Sequence, residues 1–196
     1  MKNIIKLPLF LGAVCLIATG ALATVNHFTE DRILANENAK KNENYLIVLD
    51  LSNAGDKTLP EAPVAISNET LLSAGVTAFY EVKNADDSVY GIAYDAVVTG
   101  YAGEIKFQVG FVGDQYAGFR ASASKESPGF GEDYIAALED HLGVDWEVEV
   151  STSESDLELL TMDAAQGGKS GTTKTRDPII GALIAAANDY QNRIGG

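Results

Sequence analysis

The segment Glu104 to Val112 alternates strictly: Glu-Ile-Lys-Phe-Gln-Val-Gly-Phe-Val. A period of two places Ile105, Phe107, Val109 and Phe111 on one side of an extended chain, the pattern of a strand with a buried face. Gly113-Asp114 follows, a pair suited to a two-residue hairpin, and Gln115 to Ala123 is read as the returning strand. Upstream, Val76 to Val82 and Val89 to Val98 are rich in β-branched and aromatic residues, and Asn84-Ala85-Asp86-Asp87 between them is turn chemistry. Consecutive strands with short turns leave no room for βαβ crossovers, so the expected sheet is an antiparallel meander.

Helices flank this sheet in the sequence. Asp133 to Leu142 has Ile135, Leu138 and Leu142 at helical spacing. Near the C-terminus, Ile179, Ile180, Leu183, Ile184, Ala187 and Tyr190 form an apolar stripe ending before Gly195-Gly196. Asp177 is the expected N-cap of that helix, with Pro178 in its first position. Trp146 to Val150 alternates again, and Leu157 to Met162 reads as a last strand or a helical turn. The fold class is α+β: an antiparallel sheet meander with packing helices, preceded by one N-terminal transmembrane helix.

That transmembrane helix is expected from Leu7 to Val25, which carries no charge. At helical rise its ~19 residues cover roughly 28 Å, near the thickness of a bilayer's hydrocarbon. Lys2 and Lys6 precede it, which places the short end inside and the rest outside. A cleaved signal peptide, with Ala21-Leu22-Ala23 as its small-x-small site, is the competing reading, and a lipoprotein on Cys15 is disfavoured by the bulk of Val14. The expected division is a membrane anchor over 1–28, a stalk helix and loop over 29–68, and an extracytoplasmic domain over 69–196. Within the stalk region, Thr29 to Tyr45 is helix-compatible and Asn53 to Asn68 is loop-like.

Charge and composition narrow the chemistry. The formal net charge is −14, which opposes binding to nucleic acid. Cys15 is the single cysteine and lies in the apolar run, so the exported part has no disulfide. The two histidines, His27 and His141, have no paired metal-ligand spacing, and no metal site is expected.

Three short stretches stand out from this background. Gly100-Tyr101-Ala102-Gly103-Glu104-Ile105 enters the strongest strand. Glu126-Ser127-Pro128-Gly129-Phe130-Gly131 is a Pro/Gly turn whose glycines permit close backbone approach. Ser170-Gly171-Thr172-Thr173-Lys174-Thr175 is a hydroxyl-dense loop feeding the C-terminal helix, where free N–H groups and the helix dipole favour a phosphate. Each also has a plain structural reading, as an ordinary tight connection or a polar linker. Lys169, Lys174 and Arg176 could offset a phosphate charge or simply balance Asp163 and Asp177.

Taken in order along the chain, these stretches resemble the FMN-binding family typified by the G subunit of the Rnf electron-transport complex, with the C subunit of the sodium-translocating NADH:quinone reductase as a longer relative. The resemblance implies FMN joined through its phosphate, as a phosphoester, to a threonine. By ungapped matching that threonine is Thr173, with Ser170 and Gly171 before it, Thr172 where alanine is usual, and Thr175 at the following hydroxyl position. The turn from Glu126 to Gly131 is implied to lie beside the flavin, with Glu126, Ser127, Pro128 and Gly129 as its cofactor-binding residues and Pro128 and Gly129 shaping the contact. The implied role is an electron relay in a single-pass membrane protein with its domain on the extracytoplasmic side, rather than an enzyme on its own. Its implied partners are the other subunits of the complex and a flavin transferase that uses FAD. A flavinylated carrier outside any Rnf complex, or a non-redox exported binding module, remains the alternative. The chain departs from the family in Thr172, in Arg176 where serine is frequent, and in the longer separation of Asp163-Ala164 from Ser170.

Overall fold

The structure is a computed structural model, and it describes residues 10–25, 29, 43–51, 57, 62–142, 148–153 and 172–194. The chain divides into two compact units, Met1–Lys40 and Lys41–Gly196.

In the first unit residues 10–25 form helix α1, all of it exposed. Its polar Thr24 donates its hydroxyl to the Gly20 carbonyl at 2.7 Å, one turn back, which hides the hydroxyl on an otherwise apolar helix. Residues 7–9 of the expected apolar run lie outside the described residues. Among the described residues no helix is long and apolar enough to cross a membrane.

The second unit is α+β and is built on a five-stranded antiparallel sheet in the order β1-β2-β3-β4-β5. Its strands are β1 (Val64–Ala65), β2 (Val76–Lys83), β3 (Val89–Thr99), β4 (Glu104–Val112) and β5 (Gln115–Ala123). Its described helices are α2 (43–48), α3 (Glu69–Ser73), α4 (Gly131–His141) and α5 (Thr173–Ile194). The meander expected from alternation is therefore present, and the Gly113-Asp114 hairpin closes on the pair Val112↔Gln115. Gly113 takes a φ of 58°, which glycine adopts without strain.

One face of the sheet carries the larger apolar core. Ile92, Tyr94, Ala96 and Val98 of β3 and Ile105, Phe107, Val109 and Phe111 of β4 meet Ile179, Ile180, Leu183, Ala187 and Tyr190 of α5. On β5, Tyr116 and Phe119 both join this core although three positions apart, because the register shift between Gly110 and Phe111 leaves Ala117 as an extra residue. Phe111 then packs Tyr116 at 4.9 Å and Tyr190 at 5.0 Å between ring centroids. α5 is held at one end by Tyr190, whose hydroxyl donates to the Gly113 carbonyl at 2.8 Å. Tyr94 adds a hydroxyl bond to Asp189 at 2.8 Å.

The second face carries α2. Tyr45, Val48, Leu49 and Leu51 pack on Val82 and Ala93. Gly110 and Gly118 are partners across β4 and β5, and together they leave a notch for Val48. A Cβ on Gly110 would strike the Val48 carbonyl, and one on Gly118 would lie 2.8 Å from Val48 Cα. Beside the notch runs a buried polar chain. Tyr45 donates to Asp95 Oδ2 at 2.7 Å, Gln108 to Asp95 Oδ1 at 3.2 Å, and Asn44 to Gln108 at 2.7 Å. Packing of this kind reaches back ahead of residue 69.

Other differences from the sequence expectation are local. The expected loop 53–68 contains β1, whose Val64 pairs with Phe79, and ends at Asn68, which caps α3 through the Thr70 N–H at 2.8 Å. The expected strand from Trp146 to Val150 reduces, among the described residues, to a bridge between Glu149 and Gln115. Leu157 to Met162 and most of the expected stalk helix lie outside the described residues. α5 begins at Thr173, not at Pro178. The Thr172 carbonyl accepts from the N–H groups of Thr175 and Arg176 at 2.9 and 2.8 Å, so Thr172 opens the helix. Pro178 is thus the sixth residue of the helix, where its missing N–H removes the bond to the Lys174 carbonyl.

Candidate functional site

The first two stretches singled out in the sequence and residues 172–175 of the third converge at one end of the sheet. The loop Gly100 to Gly103 closes the β3–β4 hairpin, with Thr99 paired to Glu104 and the Gly100 N–H donating to the Gly103 carbonyl at 2.8 Å. After β5 the chain passes through residues 124–130 into α4. There the Phe130 N–H donates to the Ser127 carbonyl at 3.3 Å, and Gly129 has a φ of 85°. Pro at the second position and a positive-φ glycine at the third make this a type II turn. The first turn of α5 completes the set.

Glu126 joins them. Its side chain is buried, at 8% exposure. Oε1 accepts from the Ala102 N–H at 2.9 Å, and Oε2 accepts from the Thr175 hydroxyl at 2.6 Å. Gly100 and Gly131 make the space: a Cβ on either would strike the Glu126 carboxylate. Gly131 is the first residue of α4 and Thr175 lies in the first turn of α5, so the carboxylate sits beside the starts of two helices.

Against this brace lies a groove of about 380 Å³ lined by Tyr101, Glu126, Ser127, Pro128, Phe130 and Gly131. Tyr101 is 70% exposed and Phe130 is 52% exposed, so two aromatic rings stand at the surface beside a proline. The Lys174 ammonium sits 5.9 Å from the Tyr101 ring centroid.

The residues singled out in the sequence divide by position. Glu126, Ser127 and Pro128 line the groove, with Glu126 committed inward. Gly129 is in the turn, with open space where a side chain would go. Thr172 is buried at 7% and Thr175 at 1%, whereas Thr173 is exposed. Ser170 and Gly171 lie outside the described residues, as do Lys169 and Asp163-Ala164. Of the cations, Arg176 is engaged with Asp177 at 2.9 Å, as a simple balancing role requires. Phe130 lies within the turn expected beside a flavin, whereas Tyr101 is not among the expected contact residues, because a lone exposed aromatic has no periodic signature. Its neighbouring glycines were the available signal. Among the described residues no group of three or more His, Cys, Asp or Glu could hold a metal ion.

Residues 1–46 match the family model of the RnfG N-terminal region. The chain resembles the RnfG subunit of the Rnf complex. That resemblance, carried by the first 46 residues, suggests an Rnf-type subunit. The matched stretch ends before the sheet, so the groove and the threonine run lie outside it. A comparison with curated proteins finds no match.

Proposed function

We propose that this chain is an extracytoplasmic electron-relay subunit of an Rnf-type complex, anchored by residues 1–28 and carrying FMN as a phosphoester on Thr173. The observation that carries the reading is the exposure of the described threonines. Thr172 and Thr175 are buried, and Thr173 stands exposed at the first position of α5. A modifying enzyme can reach a hydroxyl only at the surface, and a phosphate is best tolerated at a helix N-terminus. Lys174 beside Tyr101 adds positive charge on the same turn.

The residues present suit a flavin. Tyr101, Pro128 and Phe130 offer apolar and aromatic surface to a flat ring, and Ser127 offers a polar edge. A bound flavin supplies the electron-accepting and electron-donating chemistry, and the chain supplies position and shielding. In the transfer, the Thr173 hydroxyl oxygen forms the new P–O bond, the pyrophosphate bond of the FAD donor breaks, AMP leaves with the electron pair, and the hydroxyl proton passes to the transferase. Ser170, Gly171 and Thr172 flank the attachment residue in this reading, and Thr175, whose hydroxyl is bound to Glu126, fixes the first turn from within.

The test is the mass of the intact chain after export with and without a co-expressed flavin transferase. The parent and Thr172→Ala are expected to gain one FMN, and Thr173→Ala none. A gain that survives Thr173→Ala and disappears in Thr172→Ala moves the site to Thr172. No gain in any variant removes the covalent reading.

A further inference from the structure

We infer that Glu126 is the positioning residue of this site, holding the first turn of α5 against the groove rather than contacting a ligand. For its consequence the inference rests on the proposed role of Thr173. For its geometry it does not.

Both carboxylate oxygens are already committed, and to two different segments. One takes a backbone N–H of the loop between β3 and β4, at Ala102, and the other takes the Thr175 hydroxyl. The carboxylate thus ties together chain 24 residues before it and 49 residues after it. The glycines Gly100 and Gly131 are shaped around the carboxylate and not around a ligand, since a side chain on either would displace it. Thr175 is two residues beyond Thr173 on α5. In a helix such residues point in different directions, roughly 200° apart. Drawing the Thr175 hydroxyl inward therefore turns Thr173 outward. Burial, not the bond, keeps Thr175 from competing as a nucleophile, because the residue is only 1% exposed.

A glutamine can reproduce both contacts. Its oxygen accepts from Ala102 and its NH2 group donates to Thr175 Oγ1. An alanine reproduces neither, and Thr175→Val removes one end alone.

The experiment measures hydrogen exchange on the full-length chain produced without a flavin transferase, so no flavin is needed for the readout. In Glu126→Ala the amides of Ala102 and of residues 173–176 are expected to exchange roughly tenfold faster. The amides of Tyr94 and Val109, in the middle of the sheet, serve as the control for folding. Glu126→Gln is expected to stay within about twofold of the parent at all of these. Thr175→Val is expected to loosen residues 173–176 and leave Ala102 protected. Unchanged exchange at Ala102 and 173–176 in Glu126→Ala overturns the inference, and so does a Glu126→Gln variant no better than alanine. If Glu126→Ala loses protection in the whole sheet, Thr175→Val and Glu126→Gln decide. A parallel arm with the transferase present reads FMN incorporation, expected to fall roughly tenfold in Glu126→Ala and to return in Glu126→Gln. If the parent takes up no FMN, the attachment proposal fails while the exchange data still decide the role of Glu126.

Discussion

The two faces of the sheet are held by different means. The α5 face is filled by large side chains: Phe107 against Phe119 at 4.8 Å, and Phe111 among Tyr94, Tyr116 and Tyr190. The α2 face is held by closeness, with two glycines that admit the Val48 backbone and a polar chain from Asn44 through Gln108 and Asp95 to Tyr45. The first arrangement draws on apolar area and tolerates adjustment among similar residues. The second has no volume to exchange, and its polar groups cost free energy whenever one partner is lost. The difference predicts that damage on the first face scales with size and that damage on the second is set by fit.

The largest expected effect is on the α5 face. Phe107→Ala removes a fully buried ring and is expected to cost about 4 kcal/mol in urea unfolding, with the transition still cooperative. Gly110→Ala adds one methyl group where the Val48 carbonyl lies, and is expected to cost about 3 kcal/mol. Its signature is local: rapid proteolysis within residues 43–51 while Tyr94 and Val109 amides stay protected. Global loss of protection would mean that the two faces are one cooperative unit and would break the comparison.

The smallest expected effect is Tyr45→Phe, about 1 kcal/mol near neutrality, from the lost bond to Asp95. Its value is in the pH dependence. Burial, and then the Asp95 charge, holds the Tyr45 hydroxyl far above its ordinary value of 10.0. A raised value means that the folded state keeps its proton more tightly. The stability this contributes is complete below about pH 10 and is lost as pH rises beyond it. Tyr190 on the other face is pushed up to about 12 by burial and then by Asp114, so its share is lost between its ordinary value of 10.0 and about 12. Denaturation midpoints measured from about pH 8 to about pH 12 are expected to fall above pH 10 in the parent, and less steeply in Tyr45→Phe and in Tyr190→Phe. A parallel fall in all three proteins would show that neither tyrosine's burial governs alkaline stability.

The same contrast explains what could be read from the sequence. β2 to β5 were legible because alternation and turn residues are local signals, and β4 and β5 have the expected bounds. The α2 face was not. Asp95, Gln108, Gly110 and Gly118 sit at the polar or small positions of alternating strands, where solvent exposure is the default expectation. What buries them is a helix from residues 43–48, far away in sequence. The start of α5 was misread because Asp177-Pro178 has the chemistry of a helix start, and nothing local to Thr172 outweighs it. At the candidate site the turn and the threonine run were legible as motifs. Their junction was not, because a hydrogen bond between Glu126 and Thr175 spans 49 residues and leaves no periodic trace.

α5 is fastened near both of its ends to opposite ends of the sheet. Thr175 meets Glu126 beside the loop that precedes β4, and Tyr190 meets Gly113 just after β4. Along the helix axis these two fasteners are roughly 22 Å apart. A slip of one residue would shift the rod by about 1.5 Å and rotate it by about 100°, breaking both at once. Mechanically this is a two-point mount, which resists sliding and twisting in a way that one fastener could not. Where Thr173 stands is therefore set as much by a tyrosine at the far end of the rod as by the groove beside it.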